Sequence, residues 1–269
     1  MAFQTHTKQG LIWHTSSLLD DPALRHGFST RVGGVSPAPW DSLNLGIARG
    51  DTPENLQENY RRFCAVLGVD AHRTVLSRQV HEDNIRLVTE ADAGKGLWRE
   101  RDYESVDAMI CREPNLPLVV FSADCGIILL WDPEHRAVGA VHAGWRGVAS
   151  GLVKKTALRM QEVFGSDPAQ LRCAIGPAIG PCCFETDEDV PTALRQALGD
   201  AVKPYMEKHG AKWHIDLKAI NAHWLRCAGV PAHQIDVCSH CTACMPELYW
   251  SHRKTGNARG AQIAMISLM

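Results

Sequence analysis

Cys125 and His142 are the residues whose types and spacing most directly invite chemistry. They lie in SADCGIILLWDPEHRAVGAVHAGWRG, Ser122–Gly147. Two apolar runs, Ile127–Trp131 and Ala137–Val141, flank Asp132-Pro133-Glu134-His135, and Asp followed by Pro signals a type I turn. Closing the hairpin about the Pro133–Glu134 bond sets Cys125 opposite His142. A four-residue loop makes the two diagonal, still within reach. Either way a soft thiolate donor and an imidazole stand side by side at the open end of a buried hairpin. Asp124 places a charge next to Cys125, and Gly126 and Gly144 permit close backbone approach. A buried cysteine beside a hydrogen-bonded histidine fits the same spacing, so further donors must decide.

His81, in Arg78-Gln79-Val80-His81-Glu82-Asp83-Asn84, is a third donor just after a strand-like run. One cysteine and two histidines, with no fourth protein ligand evident, leave a position open to water or substrate. That is the pattern of catalytic zinc rather than closed structural zinc. Two other readings use the same residues. Cys125 and His142 fit the nucleophile and base of a cysteine hydrolase. Two His and one Cys also suit a blue-copper centre. A copper oxidase passing four electrons to oxygen needs more histidine-rich sites, whereas His6, His14, His26 and His72 are scattered.

Arg146 precedes a predicted helix, and a guanidinium near a helix start is a good anion site. Arg31, Arg253 and Arg259 also sit in glycine-bearing loops. Together they suggest a phosphate or carboxylate ligand if they converge; singly, each fits a loop anchor equally well. Cys238, Cys241 and Cys244 form a CxxCxxC run, but Met245-Pro246 follows where a ferredoxin pattern needs another cysteine. Cys182-Cys183 lacks the spacing of a second zinc-ribbon pair. Buried or loop cysteines are the simpler reading there. Glu185, after the turn Gly176–Pro181, fits a general acid or base, or more simply a helix-start carboxylate.

These residues need elements to position them. Asp51-Thr52, Pro53 and Gly68 bound a helix whose Leu56, Tyr60, Phe63, Cys64 and Leu67 share one face. The mixture of aromatics, leucines and turn residues in Phe28–Gly46 reads as an ordered loop. Strands are expected near Thr74–Gln79, Ile85–Thr89, Val106–Cys111, Leu118–Ser122, Leu171–Ile175 and Ala261–Leu268. Helices are expected over Val148–Phe164 and near Asp187–Leu198 and Leu217–Ala228. The continuously apolar hairpin strands imply burial on both faces. The pattern predicts an α/β (α+β) sandwich of mixed sheets, with an antiparallel hairpin covered by helices, in one domain over 1–269.

Composition narrows the function classes. With 45% hydrophobic and 22% charged residues the chain can bury a large core, and a net charge of −2 supplies no global field for nucleic acid or anionic lipid. The N-terminal segment lacks a signal-peptide apolar region, and no run reaches membrane-spanning length. A cytoplasmic protein with reduced cysteines is the expectation. Ten cysteines and thirteen histidines then point to metal or catalysis more than to disulfides.

The motifs FSTRVGGVS, Asn44-Leu45-Gly46, SRQVH, DAMI, SADC, HAGWRG, AIGPAIGPCCFE and CTACMPELYWSHRKTGNARG run in order from Phe28 almost to the C-terminus. In them the chain resembles the bacterial laccase-domain family. Its members, once called multicopper polyphenol oxidases, are described as zinc-dependent purine nucleoside phosphorylases. The resemblance implies an α/β sandwich and a metal held by His81, Cys125 and His142. It implies phosphorolysis of adenosine, inosine and 5′-methylthioadenosine, with adenosine deamination as a further activity. Polyphenol oxidation and effects on peptidoglycan composition are also associated with the family. Where the family more often has Thr-Gly-Arg, this chain has Thr255-Gly256-Asn257-Ala258-Arg259, which leaves open the arginine that fills that role.

On this reading zinc is the cofactor, with copper as the alternative, and inorganic phosphate is a co-substrate. Arg146 and Arg31 hold phosphate, Asp124 transfers a proton, and Gln79 and Asn44 bond ribose or base, with Arg259 also in substrate binding. Cys125 serves as ligand or, in a peptidoglycan-linked amidase or hydrolase, as nucleophile. The expected partners are small-molecule nucleosides and phosphate, with no nucleic acid or membrane. A monomer or small homo-oligomer is the expected state.

Overall fold

The computed structural model describes residues 3–269. Fifteen strands are described, beginning with β1 (Phe3–Lys8), β2 (Leu11–Ser16), β3 (Leu24–Ser29), β4 (Val75–Leu76) and β5 (Ile85–Leu87). Then come β6 (Ala108–Cys111), β7 (Leu118–Ser122), β8 (Gly126–Asp132), β9 (Ala137–Ala143) and β10 (Arg172–Ile175). The last are β11 (Glu185–Thr186), β12 (Met206–His209), β13 (Lys212–Ile215), β14 (Ile235–Val237) and β15 (Gln262–Leu268). The α-helices are α1 (Pro53–Leu67), α2 (Trp145–Ala149), α3 (Leu152–Phe164), α4 (Asp189–Leu198), α5 (Leu217–Cys227) and α6 (His252–Thr255).

Two six-stranded mixed sheets face each other, in orders β1-β2-β3-β15-β7-β4 and β14-β10-β8-β9-β6-β5. A third, small sheet runs β11-β13-β12. Strand period decides which side chain goes where. Ile127, Leu129 and Trp131 of β8 pack into the cluster between the large sheets, with Phe28, Val120 and Ile266. Ile128 and Leu130 point the other way, into a cluster with Leu152, Met160 and Leu225 of α3 and α5. The outer face of the first sheet is covered by Tyr60, Phe63 and Leu67 of α1. The result is the expected sandwich of mixed sheets, with layers in the order helix, sheet, sheet, helices. All seven residues of β8 and all seven of β9 are buried.

Local chemistry sets several boundaries. Thr52 caps α1 by accepting from the Asn55 N–H, Pro53 opens it, and Gly68 closes it with φ 74°. The helix expected over Val148–Phe164 begins earlier and is divided. Gly151, with φ 70°, cannot continue a right-handed helix, so α2 and α3 are separate. The expected strand Thr74–Gln79 narrows to β4, because Gln79 turns its side chain onto the neighbouring strand instead of extending the ladder.

The hairpin register is the diagonal one. Ile127 stands opposite His142, and Asp132 opposite Ala137. The loop is therefore the four residues 133–136. Asp132 enlarges it by accepting from the Glu134 and His135 N–H groups at 2.9 and 3.1 Å, and Arg136 completes it at φ 49°. No helix among the described residues is long and apolar enough to cross a membrane.

Candidate active site

Cys125 ends the short turn between β7 and β8. Ser122 Oγ donates to the Cys125 carbonyl at 2.7 Å, and Asp124 adopts φ 99°. His142 lies on β9, one residue before its end. His81 comes from the loop after β4, with φ 66°. The ligand atoms of His81, Cys125 and His142 all lie within 4.8 Å of one another. Cys125 Sγ is 3.9 Å from His81 Nε2, and the two imidazoles meet nearly edge to face.

Asp107, fully buried, holds two of these residues in place. Its carboxylate lies 2.8 Å from His142 Nδ1. It also accepts the backbone N–H groups of Val80, His81 and Glu82 at 3.0, 3.1 and 3.2 Å. Three convergent amides stabilise the uncommon left-handed turn at His81. A proton on His142 Nδ1 leaves Nε2 free for a metal, the usual carboxylate–histidine–metal arrangement. Gly144 completes the fit, since a Cβ there would stand 2.8 Å from His81 Cδ2 and 3.2 Å from Cys125 Sγ.

Charges inside the trio reinforce one another. Burial by itself pushes the Cys125 thiol up, but His142 and then His81 reverse this and bring it to about 6. Burial pushes the His142 imidazole down, and the Cys125 thiolate and Asp107 carboxylate override it and raise it. A thiolate at neutral pH, flanked by two imidazoles, is a donor set that fits zinc or another ion of intermediate softness.

The trio lines a cavity of about 390 Å³ together with Arg49, Arg78, Arg101 and Arg259. Arg259 is only 8% exposed, and its Nε is buried with no hydrogen-bond partner. Its Nη1 donates to the Gly260 carbonyl at 3.0 Å. Burial and then Arg49 lower it to about 10, against the pull of Asp124 and Cys125. Arg101 donates to the Ser77 carbonyl at 2.7 Å, and Arg78 pairs with Glu104 at 2.9 Å. Ile47, Ala48 and Phe121 add apolar wall. Among the described residues the cavity wall has four guanidiniums and no carboxylate, which suits an anionic ligand.

Residues 25–269 match the family described as multi-copper polyphenol oxidoreductase laccase. The chain belongs to this family. The laccase-family chain is 36% identical over 245 residues to the purine nucleoside phosphorylase YlmD of Geobacillus stearothermophilus, covering 89% of this chain and 88% of that one. It is 31% identical over 264 residues to a purine nucleoside phosphorylase of Bacteroides thetaiotaomicron, covering 97% and 98% of the two. The crystal structure of Bacillus licheniformis hypothetical protein YfiH superposes with a TM-score of 0.91, at 31% identity over 99% of both chains.

Within this laccase-family fold the other residues singled out by sequence fall into two groups. Arg259 and Gln79 line the cavity. Gln79, however, spends its amide on the backbone of β7, donating to the Phe121 carbonyl and accepting from the Phe121 N–H. Asn44 is buried just behind the wall, where its Oδ1 accepts from Gly46 and Ala261 and its Nδ2 donates to Asp51. It supports the lining residues Gly46 and Ala261 and does not itself line the cavity.

The remaining residues lie away from the cavity wall. Arg31 donates to the Asp41 and Pro246 carbonyls and lies 3.9 Å over Trp250, lining a different depression with Asp41 and Glu247. It fastens two loops. Arg146 is exposed, 4.1 Å over Trp145, and is absent from the cavity wall. Asp124 turns its carboxylate to the C-terminal segment, accepting from Thr242 Oγ1, Ser251 Oγ and the Arg253 N–H at 2.6, 3.1 and 2.7 Å. That position braces the turn that ends in Cys125. Arg253 donates to the Cys183 and Glu185 carbonyls, and exposed Glu185 lies 3.7 Å from His214.

Sequence reasoning passed over Asp107, Arg49 and Arg101. Asp107 did carry a signal, a carboxylate abutting the apolar strand Ala108–Cys111. Arg49, next to Gly50, carries the same glycine-loop signal as Arg31 and Arg259, whereas nothing local marks Arg101.

Proposed function

We propose that this chain is a metal-dependent purine nucleoside phosphorylase. The observation that carries the reading is one cavity holding both the His81–Cys125–His142 trio and the buried, under-bonded guanidinium of Arg259. Two relatives that cover 89% and 97% of the chain are named purine nucleoside phosphorylase. Zinc, when held by His81, Cys125 and His142, would supply a Lewis acid beside the arginines. Asp107 holds the His142 proton at Nδ1 and so keeps Nε2 facing inward. Arg259, with Arg49 and Arg101, binds and orients inorganic phosphate. Hydrogen phosphate then attacks C1′ of the nucleoside through one oxygen, the C1′–N9 bond breaks, and the proton that the phosphate carried ends on the departing purine. Phe121 and Ile47 provide apolar surface for the base or sugar and help exclude water. Adenosine, inosine and 5′-methylthioadenosine are the proposed substrates, and adenosine deamination a further activity of the same cavity.

The test incubates metal-analysed protein with each nucleoside, with and without phosphate, and separates the products by chromatography. Ribose 1-phosphate, or its methylthio analogue, and free base that appear only with phosphate support the reading. Base release independent of phosphate, or no turnover at full zinc loading, would sink it. Inosine formed from adenosine without phosphate reports the deaminase activity.

One observation favours a second reading. Cys125, His142 and Asp107 also have the order of a nucleophile, base and orienting carboxylate, as in a cysteine hydrolase. Activity on amide substrates that survives complete removal of zinc by a chelator would support that reading. Copper oxidase chemistry gains less. Among the described residues, the groups of three or more metal-ligating side chains are the trio and one set of four cysteines. Neither is the additional histidine cluster that oxygen reduction needs.

A further inference from the structure

Four thiols meet well outside the trio. Cys182 and Cys183 follow the Gly-Pro turn after β10, and Cys241 and Cys244 lie in the loop after β14. Their Sγ atoms all lie within 4.8 Å of one another. Cys244 Sγ is 3.5 Å from Cys182 Sγ and 3.4 Å from Cys183 Sγ. All four are free cysteines, and these separations are far beyond the roughly 2.05 Å of a disulfide.

The spacing matches one ion better than any other arrangement. Zinc with Zn–S bonds of about 2.3 Å places four sulfurs on a tetrahedron with edges of about 3.8 Å. An iron–sulfur cluster interposes iron and sulfide between its thiolates and spreads them more widely. An all-sulfur set excludes the hard cations magnesium and calcium. We propose that Cys182, Cys183, Cys241 and Cys244 bind a single zinc ion in a closed, four-thiolate site.

The surrounding backbone is built for such a site. The Gly180 N–H donates to Cys241 Sγ at 3.2 Å, as amides do toward metal-bound thiolates. The two loops are already aligned, since Ala178 forms a parallel bridge with Cys241 and accepts from the Thr242 N–H at 3.2 Å. In sequence the pattern is incomplete, with neither a second CxxC nor a fourth ferredoxin cysteine. The structure supplies the missing pair as two adjacent residues, Cys182 and Cys183, from a loop distant in sequence.

The consequence reaches the catalytic cavity. Thr242, between two of the thiols, donates to Asp124, whose neighbour is Cys125. Arg253 donates to the Cys183 carbonyl, and its own N–H reaches Asp124. The zinc would pin the loops that hold Asp124, and through it the turn presenting Cys125. With four protein ligands it has no open position and takes no part in turnover.

The test is metal stoichiometry on the full chain, which is independent of any nucleoside activity. Wild-type protein expressed with zinc is expected to hold two zinc ions per chain by plasma mass spectrometry. The variant H81A/H142A, with all cysteines intact, is expected to keep one. X-ray absorption on that variant is expected to show four sulfurs at about 2.3 Å, and its cobalt form an intense thiolate charge-transfer band. Cys241→Ser is expected to lose one ion and keep the trio's. Should Cys241→Ser fail to fold, the histidine variant decides alone. A metal-free H81A/H142A protein, iron in place of zinc, or disulfides among the four cysteines found by peptide mapping would overturn the proposal.

Discussion

Asp107 bonds His142 Nδ1 at 2.8 Å with the same carboxylate that gathers three backbone amides around His81. One buried acid thus fixes both imidazoles of the trio, one through its ring and the other through its backbone. Burial would raise its pKa, and the His142 bond and the Val80 amide hold it below the usual carboxylate value. Asp107→Ala is expected to weaken zinc binding at the trio by about 10–100-fold, the range for loss of a carboxylate behind a metal-bound histidine. Competition with a chromophoric chelator measures this. Asp107→Asn retains part of the hydrogen bonding and is expected to fall between wild type and alanine.

Arg259 and Arg146 give opposite expectations. Arg259→Ala removes a buried guanidinium from the cavity and is expected to raise the KM for phosphate by about 10–100-fold, as loss of a charged hydrogen bond does. Zinc content should stay unchanged. Arg146→Ala removes an exposed side chain stacked on Trp145 and is expected to change the phosphate KM less than about twofold. Initial rates against phosphate concentration for both variants check the pair.

Gly144→Ala tests the close packing of the trio. The new Cβ would meet His81 Cδ2 at 2.8 Å. His81 must shift to accommodate it. The expected outcome is loss of the trio's metal with far-ultraviolet circular dichroism unchanged. Normal zinc affinity in a folded Gly144→Ala protein would show that the trio does not need this contact.

Asp124→Asn separates bracing from proton transfer. Three donors converge on the carboxylate, and an amide can accept from only some of them. Each orphaned donor costs about 1–3 kcal/mol, so thermal melting should fall by several degrees. A proton-transfer role predicts the reverse, an unchanged melting temperature with a collapsed kcat and an altered pH profile.

His26 makes the fold acid-sensitive. Burial lowers its pKa from 6.5 to about 4, with Asp20 opposing, and its Nε2 accepts from the Ser16 N–H at 3.0 Å. The unfolded chain therefore binds this proton more readily than the folded one. The contribution is fully present above pH 6.5 and is lost as pH falls toward 4. It amounts to at most about 3 kcal/mol. Urea midpoints measured across that window should drop, and His26→Gln should flatten the slope.

The legible parts of the fold were those encoded over short distances. Thr52, Pro53 and Gly68 define α1 because capping is a local bonding problem. The apolar runs of β8 and β9 announce burial on both faces. The small sheet of β11, β12 and β13 escaped notice, because Met206–His209 and Lys212–Ile215 mix charged and apolar residues without clear alternation. So did β1, whose pattern is mostly exposed and which pairs with β2 at the sheet edge.

By itself the sequence determined that Cys125 and His142 would be neighbours, since one turn and two paired strands separate them. It also determined the mixed-sheet sandwich, through the periodicity of its apolar runs. Tertiary structure decided everything that depends on chain segments meeting at long range. It recruited Asp107 from the residue before β6, and it brought Arg259 to the cavity while leaving Arg31 and Arg146 outside. It also set Cys182 and Cys183 against Cys241 and Cys244. The physical reason is common to all three. A side chain's direction follows from local backbone geometry, but its partner depends on how sheets and loops far apart in sequence are packed together.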